Sequence, residues 1–290
     1  MYTTLISAED LRALLADGPA VRLFDCSFDL MSPSAGREQY ESGHIAGAIH
    51  ADLDADLSDK TGPDRACGGR HPLPSRERLA AWLGRNGVTP DTQVVVYDRQ
   101  GANYCGRLWW MLKWCGHEAV AVLDGGLQAW QALGGALESG PGTPPAPVAF
   151  VLHSPLARTA DTAAIARRLG DPALTLIDAR ATARFRGETE PLDPVAGHIP
   201  GALNRPFGDN LGPDGRFKPA QQLRDEFQAL LAGRDPATVV HHCGSGVSAI
   251  PNLLAMEVAG LGRAGLYPGS WSEWCNTPGL PCARSQVSGT

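Results

Sequence analysis

Apolar, β-branched runs recur along the chain at wide intervals: Leu23-Phe24-Asp25-Cys26, Val94-Val95-Val96-Tyr97, Leu176-Ile177-Asp178-Ala179 and Val239-Val240-His241-His242. Each is too short for a helix and is rich in residues that suit a pleated, buried surface. The stretches between them carry helical signals instead. Ser7 opens one helix with Glu9 and Asp10 in its first turn, and Ser75 opens another that stops near Gly84 and Gly87. Between Pro219 and Ala232, the residues Leu223, Phe227, Leu230 and Leu231 fall at helical spacing. Strands alternating with helices in this way predict an α/β fold, a parallel sheet with helices on both faces.

The same plan occurs twice. Leu23-Phe24-Asp25-Cys26 answers to Leu176-Ile177-Asp178-Ala179, and Gly43-His44-Ile45-Ala46-Gly47-Ala48 to Gly197-His198-Ile199-Pro200-Gly201-Ala202. Val94-Val95-Val96-Tyr97-Asp98 matches Val239-Val240-His241-His242-Cys243, with Gly101 opposite Gly246. Asp124-Gly125-Gly126-Leu127-Gln128-Ala129-Trp130 pairs with Pro268-Gly269-Ser270-Trp271-Ser272-Glu273-Trp274. The run 139–155, rich in Gly and Pro, reads as a linker between domains at 1–138 and 156–290. The Gly-His-Ile-x-Gly-Ala units read as strand-entry turns whose His44 and His198 bond nearby backbone. Trp130, Trp271 and Trp274 read as core residues.

Composition narrows the class. At 290 residues, 43% hydrophobic and 19% charged, the chain has the make-up of a soluble globular protein with a substantial core. No apolar run approaches the ~20 residues of a membrane span. The start, Met1-Tyr2-Thr3-Thr4-Leu5, lacks the basic and apolar regions of a signal peptide. Seven cysteines, an odd number scattered without a Cys-x-x-Cys pair, suggest reduced thiols in a cytoplasm, not a disulfide framework or a zinc site. The net charge of −6 is concentrated in the first 140 residues, with 12 basic and 18 acidic side chains against 13 and 13 in the remainder. That balance argues against nucleic acid as a partner and is compatible with a small anionic substrate in the second half.

The chemistry concentrates at Cys243-Gly244-Ser245-Gly246-Val247-Ser248-Ala249. A β-branched segment delivers one thiol onto a small Gly-rich loop, and an apolar helical pattern follows. Backbone N–H groups and a helix N-terminus around a sulfur favour the thiolate, the form that acts as a nucleophile. A phosphate-ester mechanism would place an arginine six residues beyond the cysteine, and that position holds Ala249. His241, His242 and Cys243 are consecutive and cannot easily turn three ligands toward one metal from a single strand, so no metal is expected. The position equivalent to Cys243 in the first copy is Asp98, expected to cap its own loop.

The Cys243 loop resembles the active-site loop of the rhodanese superfamily, in the neutral form (Cys-Gly-Ser-Gly-Val-Thr-Ala) typical of 3-mercaptopyruvate sulfurtransferases. Thiosulfate sulfurtransferases of the vertebrate type usually carry a basic loop. The repeat covers nearly the whole chain, so the resemblance implies two tandem rhodanese-like domains, with the nucleophile in the second and a degenerate site in the first. It further implies that Gly244, Gly246, Val247 and Ser248 line the substrate loop. Arg184, in Asp178-Ala179-Arg180-Ala181-Thr182-Ala183-Arg184-Phe185-Arg186-Gly187, falls on the arginine that binds the substrate carboxylate. A second such arginine is expected eight or nine positions on, and Leu192 stands there in Glu190-Pro191-Leu192-Asp193, leaving Arg186 as a possible substitute.

The family also places an Asp and a His near the nucleophile, matched by Asp54 in Asp52-Leu53-Asp54 and His71 in Gly69-Arg70-His71-Pro72. A His held by a carboxylate could relay a proton through Ser245. His71 lies in an insertion, since His44 to Asp98 spans 54 residues and His198 to Cys243 only 45. Ile250-Pro251 replaces the family's usual Cys-His, so the following helix is expected to start late or bend. The expected function is a sulfurtransferase that needs no cofactor. It would carry sulfur from 3-mercaptopyruvate through a Cys243 persulfide to cyanide, a small thiol or a thioredoxin-like protein. Thiosulfate:cyanide transfer is the alternative, and a non-catalytic rhodanese-like binding module the rival from another class.

Overall fold

The computed structural model describes residues 1–17 and 20–285. It falls into two compact units. Unit 1 is built from Met1–Asp64, Pro74–Ala157 and Leu211–Phe217, and unit 2 from Arg65–Leu73, Arg158–Asn210 and Lys218 onward. Each unit corresponds to one copy of the repeat and also takes in one short segment of the other copy's sequence. Residues 139–155 contain no helix or strand.

The strands of unit 1 are β1 (Leu5–Ile6), β2 (Val21–Asp25), β3 (His44–Ile45), β4 (Ile49–His50), β5 (Gln93–Tyr97), β6 (Val120–Leu123) and β7 (Leu137–Glu138). Five form a parallel sheet in the order β1-β6-β5-β2-β4, while β3 and β7 pair antiparallel. Central β5 is buried at every position, as its apolar run from Val94 to Tyr97 requires. Side chains alternate across a strand, so Leu23, Val95 and Tyr97 enter one core with Ala8, Leu11, Leu127 and Trp130 from the helices Ala8–Asp17 and Gly126–Ala132. Phe24, one position on, meets Trp82 of the helix Arg76–Arg85 on the other face, their ring centroids 5.3 Å apart. The expected caps are present: Ser7 Oγ accepts the Asp10 N–H at 3.0 Å and Ser75 Oγ the Arg78 N–H at 3.2 Å.

Unit 2 repeats the sheet with β8 (Arg158–Thr159), β9 (Thr175–Asp178), β10 (Leu203–Asn204), β11 (Val239–His242) and β12 (Gly265–Leu266), in the order β10-β9-β11-β12-β8 and parallel throughout. Leu176, Tyr267, Trp271 and Trp274 fill one face. On the other, His241 meets Phe227 of the helix Ala220–Leu231 and Met256 of the helix Ile250–Val258. Pro251 sits within the first two positions of that last helix, where its missing N–H costs nothing, so the helix starts immediately after the loop.

Chain order fixes where this sheet can bind a ligand. From β9 the chain goes to β10 on one side and then to β11 on the other, so the loops leaving β9 and β11 diverge at their carboxyl ends. Open parallel sheets form their binding crevice at such a switch point. Register sets His242 beside Asp178 there, and Cys243 is the next residue. No helix among the described residues is long and apolar enough to cross a membrane.

Candidate active site

The start of the loop after β11 is tied to the helix Ser270–Trp274 through the backbone of Cys243 and Gly244. Cys243 donates its N–H to Ser270 Oγ at 3.1 Å, while its carbonyl accepts from Trp271 at 3.0 Å and that of Gly244 from Ser272 at 2.9 Å. Ser270 adopts a positive φ of 56°, unusual for a residue with a Cβ, and its hydroxyl donates to the Tyr267 carbonyl at 2.9 Å. The N–H groups of Ser245, Val247 and Ala249 donate to no protein acceptor among the described residues. Cys243 is buried, 1% exposed. Three amides without a protein acceptor in the loop that a cysteine opens are donors that an anion bound there could use.

His71 completes this loop. Segment 65–73 is part of the body of unit 2, tied to the helix Ser270–Trp274 by the Gly68 N–H to Glu273 Oε1 at 3.2 Å and the Arg70 N–H to Ser272 Oγ at 3.0 Å. That anchoring sets His71 Nδ1 2.7 Å from Ser245 Oγ, both side chains buried. A hydroxyl hydrogen-bonded to an imidazole two residues from the thiol can deliver or accept a proton there.

Two guanidiniums cover the same loop. A Cβ placed on Gly244 would lie 2.9 Å from Arg70 Nη2 and 3.7 Å from Arg184 Nη1, so glycine is what permits the approach. Neither of these two nitrogens donates to a protein acceptor among the described residues. Their other nitrogens are held from behind. Arg184, on the helix Thr182–Arg186, donates from Nη2 to Glu190 Oε1 at 2.7 Å and from Nε to Glu190 Oε2 at 3.3 Å. Arg70 Nη1 donates to Asp193 Oδ1, and Arg184 Nη2 stands 3.5 Å from Asp193 Oδ2. Burial pushes the Glu190 carboxyl up, but the bonds from Arg184 and from the Leu192 and Asp193 amides outweigh it and hold Glu190 below the usual carboxylate range. Burial, only partly offset by Arg70, pushes Asp193 up.

Unit 2 thus brings together Cys243, Gly244, Ser245, Gly246, Val247, Ser248, His71 and Arg184. Asp54 lies in unit 1, where its carboxylate pairs with Lys60 at 2.7 Å. Arg186 does not stand in for the arginine missing at 192: it is exposed and faces Glu188 at 3.7 Å. The second guanidinium is Arg70, which the sequence offered only as a neighbour of His71. Ser270 was also missed, although its place opposite Gly126 marked a side chain where the other copy has none. His241 and His242 point to opposite faces of β11. His241 Nε2 lies 3.0 Å from Met256 Sδ, whereas His242 Nδ1 is 3.9 Å from Asp178 Oδ2. Burial is the main cause depressing both imidazoles below their ordinary value, His241 to about 3. Behind His242, Arg180 grips Asp178 through Nε and Nη2, and its guanidinium lies over the Trp271 ring at 4.7 Å.

A thiol next to a loop covered by two guanidiniums can support attack on a small anion. Comparison with known proteins carries it further. The rhodanese-like domain matches twice, at residues 7–133 and 161–277. A Pseudomonas aeruginosa protein provisionally named a 3-mercaptopyruvate sulfurtransferase is 46% identical over 280 residues, covering 96% of this chain and 97% of that one. A Mycobacterium tuberculosis protein provisionally named a thiosulfate sulfurtransferase is 42% identical over 283 residues, covering 97% and 96%. Among solved structures, 3-mercaptopyruvate sulfurtransferase from Leishmania major superposes with a TM-score of 0.82 at 31% identity, covering 96% of this chain and 76% of that one. The chain belongs to the rhodanese family, and it is a sulfurtransferase.

Proposed function

We propose that this enzyme takes sulfur from 3-mercaptopyruvate onto Cys243 and passes it to a thiophilic acceptor. The Cys243 thiolate attacks the donor sulfur. The bond from that sulfur to C3 of the donor breaks, and its electron pair stays on C3 as the enolate of pyruvate. A proton supplied through Ser245 and His71 turns the enolate into pyruvate. An acceptor nucleophile then attacks the outer sulfur of the persulfide, the S–S bond breaks, and the Cys243 thiolate returns, giving ping-pong kinetics. Cyanide, a small thiol or a thioredoxin-like protein suits this second step. The amides of Ser245, Val247 and Ala249, without a protein acceptor among the described residues in the loop that Cys243 opens, support a persulfide anion, and the odd, scattered cysteines suit a reducing cytoplasm.

The observation that carries the choice of donor is the meeting of Arg70 Nη2 and Arg184 Nη1 over Gly244. Two planar cations with donors to spare beside the nucleophile suit a carboxylate held next to the sulfur under attack. The same donors would accept a sulfonate oxygen, and a relative at 42% identity is named for thiosulfate, so thiosulfate is the second reading. Side-by-side kcat/KM values for the two donors decide between them. Arg184→Ala is expected to cost about 2–4 kcal/mol in kcat/KM for mercaptopyruvate, the range for stripping one partner from a desolvated charge pair, and less for thiosulfate. A wild-type preference for thiosulfate, with equal losses for both donors in the variant, would reverse the order of the two readings.

A further inference from the structure

Asp193 is an odd residue to find at an anion site. Its side chain is 3% exposed and lies against the guanidiniums of both Arg70 and Arg184, the two cations that reach Gly244. Glu190, 4% exposed, already holds Arg184 through two bonds and also accepts one from Arg180 at 3.2 Å. Asp193 is therefore not needed to position Arg184, and its Oδ2 accepts no hydrogen bond among the described residues. What it adds is a negative charge beside two cations whose Arg70 Nη2 and Arg184 Nη1 donate to no protein acceptor among the described residues. A bound anion feels that charge through the arginines, and an anion with two charges feels it about twice as strongly as one with a single charge.

We propose that Asp193 sets the charge preference of the donor site, its carboxylate lowering the positive potential of the Arg70–Arg184 pair so that a donor bringing one negative charge is favoured over one bringing two. This rests on the donor reading above and deepens it. Mercaptopyruvate offers one carboxylate, whereas thiosulfate is a dianion. Leu192 leaves the place of the family's second arginine apolar, and Asp193 beside it is acidic, so this chain draws its second cation from segment 65–73 and offsets part of its charge. Asp193 acts through the arginines and is a positioning residue.

The test is Asp193→Asn, which keeps an oxygen for Arg70 and removes only the charge, with Asp193→Glu as the charge-retaining control. Thermal melts establish that each variant is folded, and Asp193→Ser, which also drops the charge, replaces the Asn variant if that one fails to fold. The measured quantity is kcat/KM for thiosulfate divided by kcat/KM for mercaptopyruvate. The expectation is a rise of about tenfold in Asp193→Asn, the ratio that 1.4 kcal/mol represents, and little change in Asp193→Glu. A merely structural role would weaken both donors together and leave the ratio where it was. An unchanged ratio in a folded Asn variant overturns the proposal, as does an equal shift in the Asn and Glu variants. Inhibition by sulfate and by pyruvate, with thiosulfate as donor, reads the same charge effect independently of which donor is preferred. Sulfate inhibition should tighten more than pyruvate inhibition in Asp193→Asn. If wild type fails to use mercaptopyruvate while sulfate tightens selectively, the donor reading falls and the charge role of Asp193 stands.

Discussion

The loops that follow β5 and β11 are the same structure filled in two ways. After β5, the Asp98 carboxylate accepts the N–H groups of Gln100 and Ala102 on Oδ1, at 2.9 and 3.0 Å, and those of Tyr104 and Cys105 on Oδ2, at 2.8 and 2.9 Å. After β11, Ser245, Val247 and Ala249 stand at the steps of Gln100, Ala102 and Tyr104, and their amides have no protein acceptor among the described residues. The supports are otherwise alike. Leu127 donates to the Asp98 carbonyl at 3.1 Å, as Trp271 does to that of Cys243 at 3.0 Å. In each unit an arginine grips the carboxylate that ends the neighbouring strand: Arg99, from the β5 loop itself, on Asp25, and Arg180, from the loop after β9, on Asp178. The difference teaches what the loop amides are for. A nest of amides suits an acceptor that bears negative charge; unit 1 fills it with the Asp98 carboxylate, whereas unit 2 has at that place Cys243, the residue proposed above to carry the sulfur.

The strongest way to break this comparison is to exchange the fillings. Cys243→Ser should reduce sulfur transfer to background, because a hydroxyl in the same place is a far weaker nucleophile and forms no persulfide. The pure variant should also fail to gain the ~32 Da of one sulfur on incubation with donor, a gain expected of wild type. A clear adduct or steady turnover would remove Cys243 from the mechanism. A non-catalytic binding module, by contrast, would show no adduct in wild type either. Asp98→Asn should do the reverse: it leaves the kinetics at the wild-type level but costs about 1–3 kcal/mol of stability in urea, since an amide cannot accept four N–H bonds as a carboxylate does.

Much of this was legible in the chain. Fourfold pairing of motifs gave the repeat, the β-branched runs gave the central strands, and the glycines around Ser245 singled out Cys243 from seven cysteines. The role of Asp98 as a cap could be read from a carboxylate at a loop start. What could not be read was the charge pairing. Arg70 and Asp193 are 123 positions apart, and they meet only because segment 65–73 folds into unit 2. Local spacing pointed to Arg186 as the nearest spare cation, but spacing says nothing of direction, and that side chain turns to solvent. Ser270 was hidden for a related reason: a positive φ at a serine is set by the bonds around it, which no local pattern announces.

A finer distinction comes from the glycines at matched places, Gly101 and Gly246. Both have positive φ, 65° and 74°, so alanine carries a left-handed penalty of about 1–2 kcal/mol at either. Their surroundings differ. A Cβ on Gly246 would stand 2.3 Å from the backbone oxygen of Pro268, whereas one on Gly101 meets the Leu211 Cδ1 methyl at 2.5 Å. A methyl at the end of a side chain can rotate away, but a carbonyl beside the Ser270 turn cannot move without the loop. Gly246→Ala should therefore cost more than about 2 kcal/mol in urea unfolding and most of the activity as well. Gly101→Ala should cost only the conformational penalty and spare kcat/KM. Equal losses at the two positions would mean that the Cys243 loop is no more tightly set than its counterpart.

The smallest effect separates the strands themselves by pH. At the positions where β11 carries His241 and His242, β5 carries Val96 and Tyr97. Burial lowers His241 to about 3 in the folded chain, against about 6.5 when unfolded. Between these values the unfolded state binds the extra proton, so the stabilisation is complete above about pH 6.5 and is lost as pH falls, at up to about 1.4 kcal/mol for each pH unit. His242 and, in unit 1, His117 are depressed in the same direction, so each adds a slope of the same sign. Neither Val96 nor Tyr97, whose phenol burial pushes up, titrates in this range. Copying unit 1 with His241→Val should flatten the fall in urea stability between about pH 7 and about pH 5, even though the smaller side chain lowers stability at neutral pH. The slope is the quantity to compare, because a cavity subtracts equally at both pH values and a buried neutral imidazole does not. A slope as steep in the variant as in wild type would place the acid sensitivity elsewhere.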